Sequence, residues 1–327
     1  MKEKIRWGII GLGGIAKKFA DDLKLVDDGQ LVAVASRSLD KAKAFAKDYN
    51  VKNAFGSYDE LFKFPDVDVL YIATPHDSHA ELSIAAMTNG KHILCEKPVA
   101  VNRKDVEKMV AASKANNLFL MEAMWSRFNP SIIKVKELID DGAIGDVAYV
   151  NSDFTYYGLD RDEEGRILNP ELAGGSILDI GIYPIFLAYL ILGKPNEIIA
   201  RSNFYKTGVE IQTSMIFDYE NSQAILHSGF ATDLQVKGKI SGSKGSLVLH
   251  PMWHMAQGYS IEKGGAVQDF KLPTLGMGYS YEIIEVHNCL RAGKLESDLW
   301  SHQNSLDLME LMDEVRRQVG VVFPFES

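Results

Sequence analysis

Cysteine is scarce in this sequence, with two residues, Cys95 and Cys289, among 327. They lie far apart in the chain and match no metal-ligand spacing, and the histidines show no such spacing either. We therefore expect buried thiols in a reducing cytoplasm and no bound metal.

Long basic runs are also missing. The formal net charge is −9, from 44 acidic and 35 basic residues. Non-specific binding to nucleic acid or to an anionic membrane needs a footprint of Lys and Arg, so the sequence argues against both partners. A local site for a small anion is still compatible with this charge.

Long apolar runs are absent too. The longest, Ile182–Leu192, is too short to cross a bilayer as a helix and contains Pro184. Residues 1–4 are followed at once by a strand pattern and a glycine loop, which is not the pattern of a signal peptide. Tandem repeats and low-complexity segments are not found, so a soluble globular protein of the cytoplasm is the expectation.

The chain is longer than one ordinary hydrophobic core requires, so two domains are expected. In the first part, short apolar strand patterns alternate with amphipathic helix patterns. This βαβ alternation predicts an α/β domain over residues 1–122, built on a doubly wound parallel sheet with right-handed connections.

A glycine loop joins the first strand to the first helix. Its sequence is Gly11-Leu12-Gly13-Gly14-Ile15-Ala16, the G-x-G-x-x-A form of the dinucleotide fingerprint of Rossmann domains. Gly11 permits the tight turn, Gly13 lets the main chain approach a pyrophosphate, and Ala16 allows close helix–strand packing. The helix N-terminus, with Gly14 and Ile15, then faces the anion. The alternative is a glycine turn that binds no ligand.

The second strand ends at Ser36, Arg37 and Ser38. An NAD site usually carries an acidic residue here for the ribose 2′-hydroxyl, and the sequence has none before Asp40. The serines can donate hydrogen bonds, and the Arg37 guanidinium can stack on adenine or pair with a 2′-phosphate. The pattern favours NADP over NAD, against the alternative that Arg37 is an exposed loop cation.

Two further strands end in polar motifs, Thr74-Pro75-His76-Asp77-Ser78-His79 and Glu96-Lys97-Pro98. Proline cannot continue a central strand, and ligands of open parallel sheets bind at the carboxyl edge. We therefore expect these motifs beside a bound ligand. The alternative for Glu96 and Lys97 is a surface ion pair, which contributes little to stability.

After about residue 123 the pattern changes to alternating strands joined by Gly, Asn and Ser turns. Residues 123–327 are therefore expected to form an α+β domain on a large, open, mostly antiparallel sheet. Helices at residues 130–141 and 179–192 should cover one face, and a C-terminal helix could pack back on the first domain. No helices remain for the other face, so we expect a second subunit there, in a homodimer or a dimer of dimers.

These motifs together make the chain resemble the glucose–fructose oxidoreductase / inositol dehydrogenase superfamily over essentially its whole length. Residues 121–130 and 174–184 look like the dimeric dihydrodiol dehydrogenase / NADP D-xylose dehydrogenase branch. Many relatives have Asn where this chain has His76, and His where it has Tyr183; the tyrosine is typical of the dihydrodiol branch. The resemblance implies a cofactor site formed by Gly11, Gly13, Gly14, Ile15, Ser36, Arg37, Ser38, Thr74, Pro75, His76, His79, Glu96, Lys97 and Arg127.

Hydride transfer to or from a carbinol also moves a proton at the oxygen, and Lys97 and Tyr183 are the candidates for this step. Both side chains have ordinary pKa values of about 10, so a neighbouring cation, like charge or desolvation must tune them. Asp179 precedes Tyr183 by four residues and should share its helix face, to orient the substrate hydroxyl or Lys97. The resemblance implies that Tyr183 is the acid–base. The alternatives are a helix N-terminal carboxylate for Asp179 and a packed core phenol for Tyr183.

Trp125, Phe154 and Tyr281 are candidates for an aromatic substrate wall, or for ordinary core residues. The leading interpretation is an NADP-dependent dehydrogenase of a polyhydroxylated small molecule, an aldose or a cyclic trans-diol. An inositol, polyol or other sugar oxidoreductase is the alternative within this class. A non-enzymatic dinucleotide sensor is the alternative outside it, and the presence of Lys97 and Asp179 argues against such a sensor.

Overall fold

The computed structural model describes residues 4–326. The chain divides into two compact units. The first unit runs to Phe128 and includes Leu275–Leu306, and the second consists of Asn129–Thr274 and the residues from Asp307 onwards. This division differs from the predicted domains of residues 1–122 and 123–327, because Leu275–Leu306 belongs to the first unit. We call Leu275–Leu306 the return segment.

The first unit is built on a six-stranded parallel sheet in the order β3-β2-β1-β4-β5-β6. Its strands are β1 (Ile5–Ile10), β2 (Gly29–Ala35), β3 (Asn53–Phe55), β4 (Val69–Ile72), β5 (His92–Glu96) and β6 (Leu120–Ala123). The central strands are almost wholly buried and apolar, as parallel strands covered on both faces must be. The strand order reverses between β1 and β4, the switch point where such sheets bind ligands. The predicted doubly wound parallel sheet is confirmed.

Five helices connect these strands: α1 (Gly14–Leu23), α2 (Leu39–Asp48), α3 (Tyr58–Phe62), α4 (His79–Thr88) and α5 (Arg103–Asn116). Two of them begin at a side-chain cap. The Ser38 hydroxyl accepts the Lys41 N–H at 3.4 Å, and the Asn102 side chain accepts the Asp105 N–H at 3.0 Å. Each cap satisfies a main-chain donor that the helix itself leaves unpaired.

The return segment is held to the first unit by Asp22 of α1. This carboxylate is 2% exposed and accepts the main-chain N–H groups of Met277, Gly278, Tyr279 and Ser280 at 2.8–3.2 Å. These donors lie at and before the start of α8 (Ser280–Arg291), so a buried negative charge meets the positive end of a helix dipole.

A second connection runs through His287 of α8. Trp7 donates its indole N–H to His287 Nε2 at 2.9 Å, and Nδ1 lies 2.8 Å from an Asp28 carboxylate oxygen. Because Nε2 accepts, the proton lies on Nδ1, and burial lowers the pKa of the ring and favours this neutral form. His287 is therefore structural.

The second unit is built on an eight-stranded sheet in the order β14-β13-β12-β11-β7-β10-β9-β8. Its strands are β7 (Val147–Thr155), β8 (Glu197–Phe204), β9 (Glu210–Asp218), β10 (Gln223–Gly229), β11 (Gly238–Gly242), β12 (Gly245–Leu249), β13 (Gly258–Lys263) and β14 (Ala266–Lys271). All neighbours are antiparallel except β7 and β10. The expected large, mostly antiparallel sheet is confirmed. The hairpin of β13 and β14 was not foreseen, although Gly264-Gly265 with φ of +58° and +82° is a strong turn signal.

Helices α6 (Pro130–Asp140) and α7 (Ile182–Leu192) lie against one face of this sheet, α6 on β12 and β13 and α7 on β7 and β10. Side chains along β8 and β9 alternate between this covered face and the opposite face of the sheet. Ala200, Met215 and Phe217 point to the buried face, whereas Ile199 and Ile216 on the other face are 43% and 37% exposed. The last long helix, α9 (His302–Val319), begins in the first unit and ends in the second.

The segment Pro170–Leu192 has 23 residues, and its most apolar 18-residue window has a mean hydropathy of 1.8, so its length and composition alone would allow it to cross a membrane. In the structure 72% of its most apolar window is buried inside the protein. Ile185, Phe186 and Leu187 have no exposed surface, which is the burial expected of a core helix.

Candidate functional site

The glycine loop lies between β1 and α1, at the carboxyl edge of the first sheet. Gly11 has φ of +83°, and a Cβ there would lie 2.4 Å from the Ala73 carbonyl oxygen, so only glycine fits. A Cβ at Gly13 or Gly14 would meet nothing within 4 Å, and both residues are exposed. Ile15 is half-buried. The main-chain N–H groups at the start of α1 therefore face open space, which fits a bound pyrophosphate.

Ser36, Arg37 and Ser38 follow β2, the neighbour of β1 in the sheet. Ser36 is buried and its hydroxyl accepts the Ser38 N–H at 3.4 Å, while Ser38 caps α2. Arg37 is exposed and lies close enough to Tyr58 to act on that phenol electrostatically. Among residues 36–38, the Arg37 guanidinium is thus the charged group, and it is exposed to solvent.

The Thr74–His79 motif follows β4, and its two histidines differ in role. His79 has no exposed surface, with Nδ1 2.9 Å from the Pro98 carbonyl and Nε2 2.9 Å from the Thr74 carbonyl. Burial lowers its pKa, and a neutral ring can donate only one of these two hydrogen bonds. His79 therefore links the main chain that follows β4 to the main chain that follows β5. His76 is 6% exposed, and Thr74 accepts the Ser78 hydroxyl at 2.9 Å.

Glu96 closes β5 and is turned inward, with 5% of its surface exposed. It accepts the hydroxyl of Tyr71, and its second oxygen accepts the Lys97 N–H at 3.0 Å. The Lys97–Pro98 peptide bond is cis, and the Lys97 side chain is half-buried. The predicted Glu96 therefore supports the main chain at Lys97 from within the protein.

Glu282 of α8 is a functional-site neighbour that the sequence reasoning missed. Its side chain has no exposed surface, and neither carboxyl oxygen has a hydrogen-bond partner among residues 4–326. Burial raises its pKa well above 4.5, and the negative charges of Glu96 and Asp22 raise it further. Glu282 is thus favoured as a neutral acid near the Tyr71–Glu96 pair. No local pattern marks it, because its place depends on the return segment.

Three other predicted residues have definite contacts in the first unit. Trp125 stacks on Tyr279, with ring centroids 4.7 Å apart. Arg127 donates from Nε to the Leu299 carbonyl at 2.9 Å, and the Tyr281 hydroxyl accepts the Leu275 N–H at 2.9 Å. Pro75 is half-buried. Arg127 and Tyr281 thus fix the return segment.

In the second unit, Asp179 lies in a π-helical turn, Ile177–Gly181, that leads directly into α7. Arg166 binds its carboxylate with two hydrogen bonds, of 2.8 and 3.2 Å, and Tyr156 donates a longer bond of 3.4 Å. Burial raises the pKa of Tyr156, and the Asp179 charge raises it further, so Tyr156 keeps its proton as a donor. The ion pair of Arg166 with Asp179 was not predicted, because their residue types and spacing give no local signal.

Tyr183 stands in the first turn of α7 and is 5% exposed. Three aromatic rings surround it: Phe154 at 5.3 Å, His254 at 5.1 Å and Trp253 at 6.5 Å between centroids. Phe154 also stacks on His254 at 4.3 Å. Phe154, a candidate for the aromatic substrate wall, thus lies beside Tyr183, and Trp253 and His254 complete a ring of aromatic groups around the phenol.

Within residues 4–326, no group of three or more His, Cys, Asp or Glu side chains is arranged to hold a metal ion.

The first unit is therefore a nucleotide-binding unit of Rossmann type, and the second carries a phenol and a carboxylate among aromatic rings. Two family models match the chain, an oxidoreductase family with an NAD-binding Rossmann fold over residues 5–124 and the GFO/IDH/MocA C-terminal domain over residues 132–248. The chain belongs to the GFO/IDH/MocA family of oxidoreductases.

Among curated proteins, trans-1,2-dihydrobenzene-1,2-diol dehydrogenase of Xenopus tropicalis is 36% identical over 333 residues, covering 98% of this chain and 99% of the relative. The human protein of the same name is 34% identical over 337 residues, covering 98% of each. These relatives confirm the expected superfamily and its dihydrodiol dehydrogenase branch.

Two solved structures share the fold over nearly the whole chain. A 3-ketoreductase from Actinomadura kijaniata, in complex with NADP and TDP-benzene, has a TM-score of 0.88 at 27% identity, covering 97% of this chain and 98% of its own. An aldose–aldose oxidoreductase from Caulobacter crescentus, complexed with glycerol, has a TM-score of 0.89 at 26% identity and the same coverage. The expected oxidoreductase class is confirmed.

Proposed function

We propose that this protein is an NADP-dependent dehydrogenase that transfers a hydride between the nicotinamide and a carbinol of an aldose or a cyclic trans-diol. The observation that carries the proposal is the phenol of Tyr183, set among aromatic rings and four residues after the paired carboxylate of Asp179. Aromatic rings suit the apolar face of a sugar or cyclohexadiene ring. The diol dehydrogenase relatives support the same substrate class.

The bound nicotinamide would supply the hydride chemistry, and the chain would supply binding and proton transfer. The open glycine loop would take the pyrophosphate, and the Thr74–Pro75 and Glu96–Lys97 strand ends would flank the cofactor. Tyr183 would be the acid–base, with the Lys97 ammonium lowering the pKa of its phenol. Asp179, held by Arg166, would orient a substrate hydroxyl.

The test is turnover with a panel of substrates. Purified protein is incubated with NADP or NAD and with aldoses, inositols and cyclic trans-diols, and reduced nicotinamide is followed by absorbance. We expect reduction of NADP with an aldose or a trans-diol. Turnover confined to inositols would favour the polyol alternative. A cofactor that binds without turnover on any substrate would favour the non-enzymatic sensor.

Replacing Tyr183 by Phe should lower kcat about 10²- to 10⁴-fold, because a positioned acid–base is lost, while NADP affinity and Tm stay close to wild type. Lys97→Met should be at least as damaging. Steady-state kinetics, cofactor titration and thermal melts measure these effects.

Tyr219→Phe is the matched control, because it removes another phenol of the second unit, one that donates to the Gly193 carbonyl at 3.1 Å. If Tyr183→Phe keeps most of its activity while Lys97→Met abolishes it, Lys97 is the acid–base and Tyr183 is a packing residue.

Arg37→Ala should weaken NADP binding about tenfold to a hundredfold and leave NAD nearly unchanged, because only NADP offers a 2′-phosphate to the guanidinium. Fluorescence titration with each cofactor measures the two affinities, and Arg103→Ala on α5 serves as the control. An equal loss for both cofactors would rule out this role.

We also propose a homodimer formed by the uncovered sheet face of the second unit. Tyr149, Ile199, Ile216 and Val267 are apolar or aromatic and 37–67% exposed in β7, β8, β9 and β14. A second copy that covered this face would bury about 2,000 Å² or more in total, as stable dimers do.

Sedimentation should show a dimer at micromolar concentration, and Ile216→Asp should shift it towards monomer. Leu25→Asp, at another exposed apolar residue, should leave the dimer intact. A wild-type monomer would contradict the proposal.

We further propose a cytoplasmic location, which the two thiols support. Cys95 and Cys289 are both free and buried, as in proteins of a reducing compartment.

A further inference from the structure

A glycine turn precedes the π-helical turn that carries Asp179. Gly175 has φ of +116°, and a Cβ at this position would lie 2.1 Å from a carboxylate oxygen of Glu210. Ser176, the next residue, is buried, and its hydroxyl lies 3.0 Å from that of Ser228 on β10. The turn thus packs closely against Glu210, the first residue of β9.

Glu210 binds this turn through the main chain. Its side chain is 1% exposed, and one oxygen accepts the Ile177 N–H at 2.6 Å. The main chain of Ser176 also acts to lower the pKa of this carboxyl. The Ile177 N–H lies at the N-terminal end of a helical segment, where a negative charge is stabilised. One carboxylate therefore fixes the point from which the segment towards Asp179 and Tyr183 starts.

The apolar surroundings of Glu210 oppose a negative charge on its carboxyl group. A buried cluster of apolar side chains includes its neighbour Val209 together with Ile167, Leu168, Ile180 and Phe230. Burial raises the pKa of Glu210 to about 7, although the main-chain N–H groups and Arg316 of α9 act to lower it. Arg316 itself pairs with Glu326 and with Asp313.

The raised pKa means that ionisation of Glu210 reduces stability. The folded protein holds this proton more tightly than an unfolded chain, whose carboxyl titrates near 4.5. The contribution of Glu210 to the free energy of unfolding is therefore expected to fall as pH rises from about 4.5 to about 7. Ionisation of a buried glutamate lowers stability, so stability alone does not account for a carboxylate at this position. This points to a role in positioning the turn.

We propose that Glu210 is a positioning residue whose carboxylate fixes the turn at Gly175–Ile177 and thereby places Asp179 and Tyr183 for the reaction. The inference rests on the proposed function for the reaction itself. A carboxylate accepts the Ile177 N–H in a charge-assisted hydrogen bond, whereas a protonated carboxyl accepts it more weakly. Protonation should therefore loosen the turn without breaking the sheet.

Glu210→Gln tests this role, because it removes the charge at nearly constant volume. We expect kcat to fall about tenfold to a hundredfold with little change in KM for NADP, as for a lost hydrogen bond to a charged group. The wild-type rate should fall below about pH 7, and the variant should lack this acid limb. The stability of the variant should decrease less than that of the wild type from about pH 4.5 to about 7, because the contribution of Glu210 is lost.

Two further variants separate positioning from packing. Glu210→Asp keeps the charge and should retain more activity than Glu210→Gln, together with the acid limb. Glu197→Gln, at an exposed glutamate of β8, should behave as wild type. Wild-type kcat and pH profile in Glu210→Gln would overturn the proposal.

Amide hydrogen exchange gives a readout that needs neither turnover nor a stable variant. In the wild type, protection of the Ile177 amide should decrease about tenfold or more below pH 7 after correction for intrinsic exchange, while that of Met215 in β9 stays constant. The proposal would also be overturned if the protection of both amides changed with pH to the same extent. Because exchange is measured without substrate, failure of the proposed dehydrogenase function would be seen separately, as absent turnover.

Discussion

In each of the two units, buried carboxylates that accept main-chain N–H groups fix segments that carry candidate site residues. Asp22 binds four such donors at the start of α8, and Glu210 binds the turn before Asp179. Glu122 of β6 accepts the Val99 N–H, the Trp300 indole and the Ser305 hydroxyl. Each carboxylate ties a loop to a sheet or helix, since a buried charge must be satisfied by the donors that surround it.

The two units contribute different kinds of chemistry. The first presents strand ends: an open glycine loop, an exposed guanidinium after β2, and Lys97 after β5. Two buried side chains, Glu96 and His79, hydrogen-bond the main chain that follows the strands. The second presents side chains of one helical segment, Asp179 and Tyr183, against aromatic groups of the sheet and its loops. Such rigid support is what keeps reacting groups oriented.

Most of the first unit was predictable because its signals are local. Strand, glycine turn and helix follow one another within a few residues, and β-branched runs mark buried parallel strands. The same holds for Asn102 as a helix cap and for Thr74 and Lys97 at strand ends. The mostly antiparallel sheet could be expected from alternation, but the β13–β14 hairpin was missed, since β14 is largely exposed and lacks the alternating burial of the inner strands.

The sequence by itself therefore determined the fold class, the glycine loop, the strand-end motifs and the spacing of Asp179 and Tyr183. Only the tertiary structure decided that Leu275–Leu306 belongs to the first unit, that Arg166 pairs with Asp179, and that Glu282 and Glu210 are buried. The physical reason is that these partners are distant in the chain. A hydrogen bond or a burial energy between distant residues leaves no periodic or local pattern, and it exists only once the chain has folded.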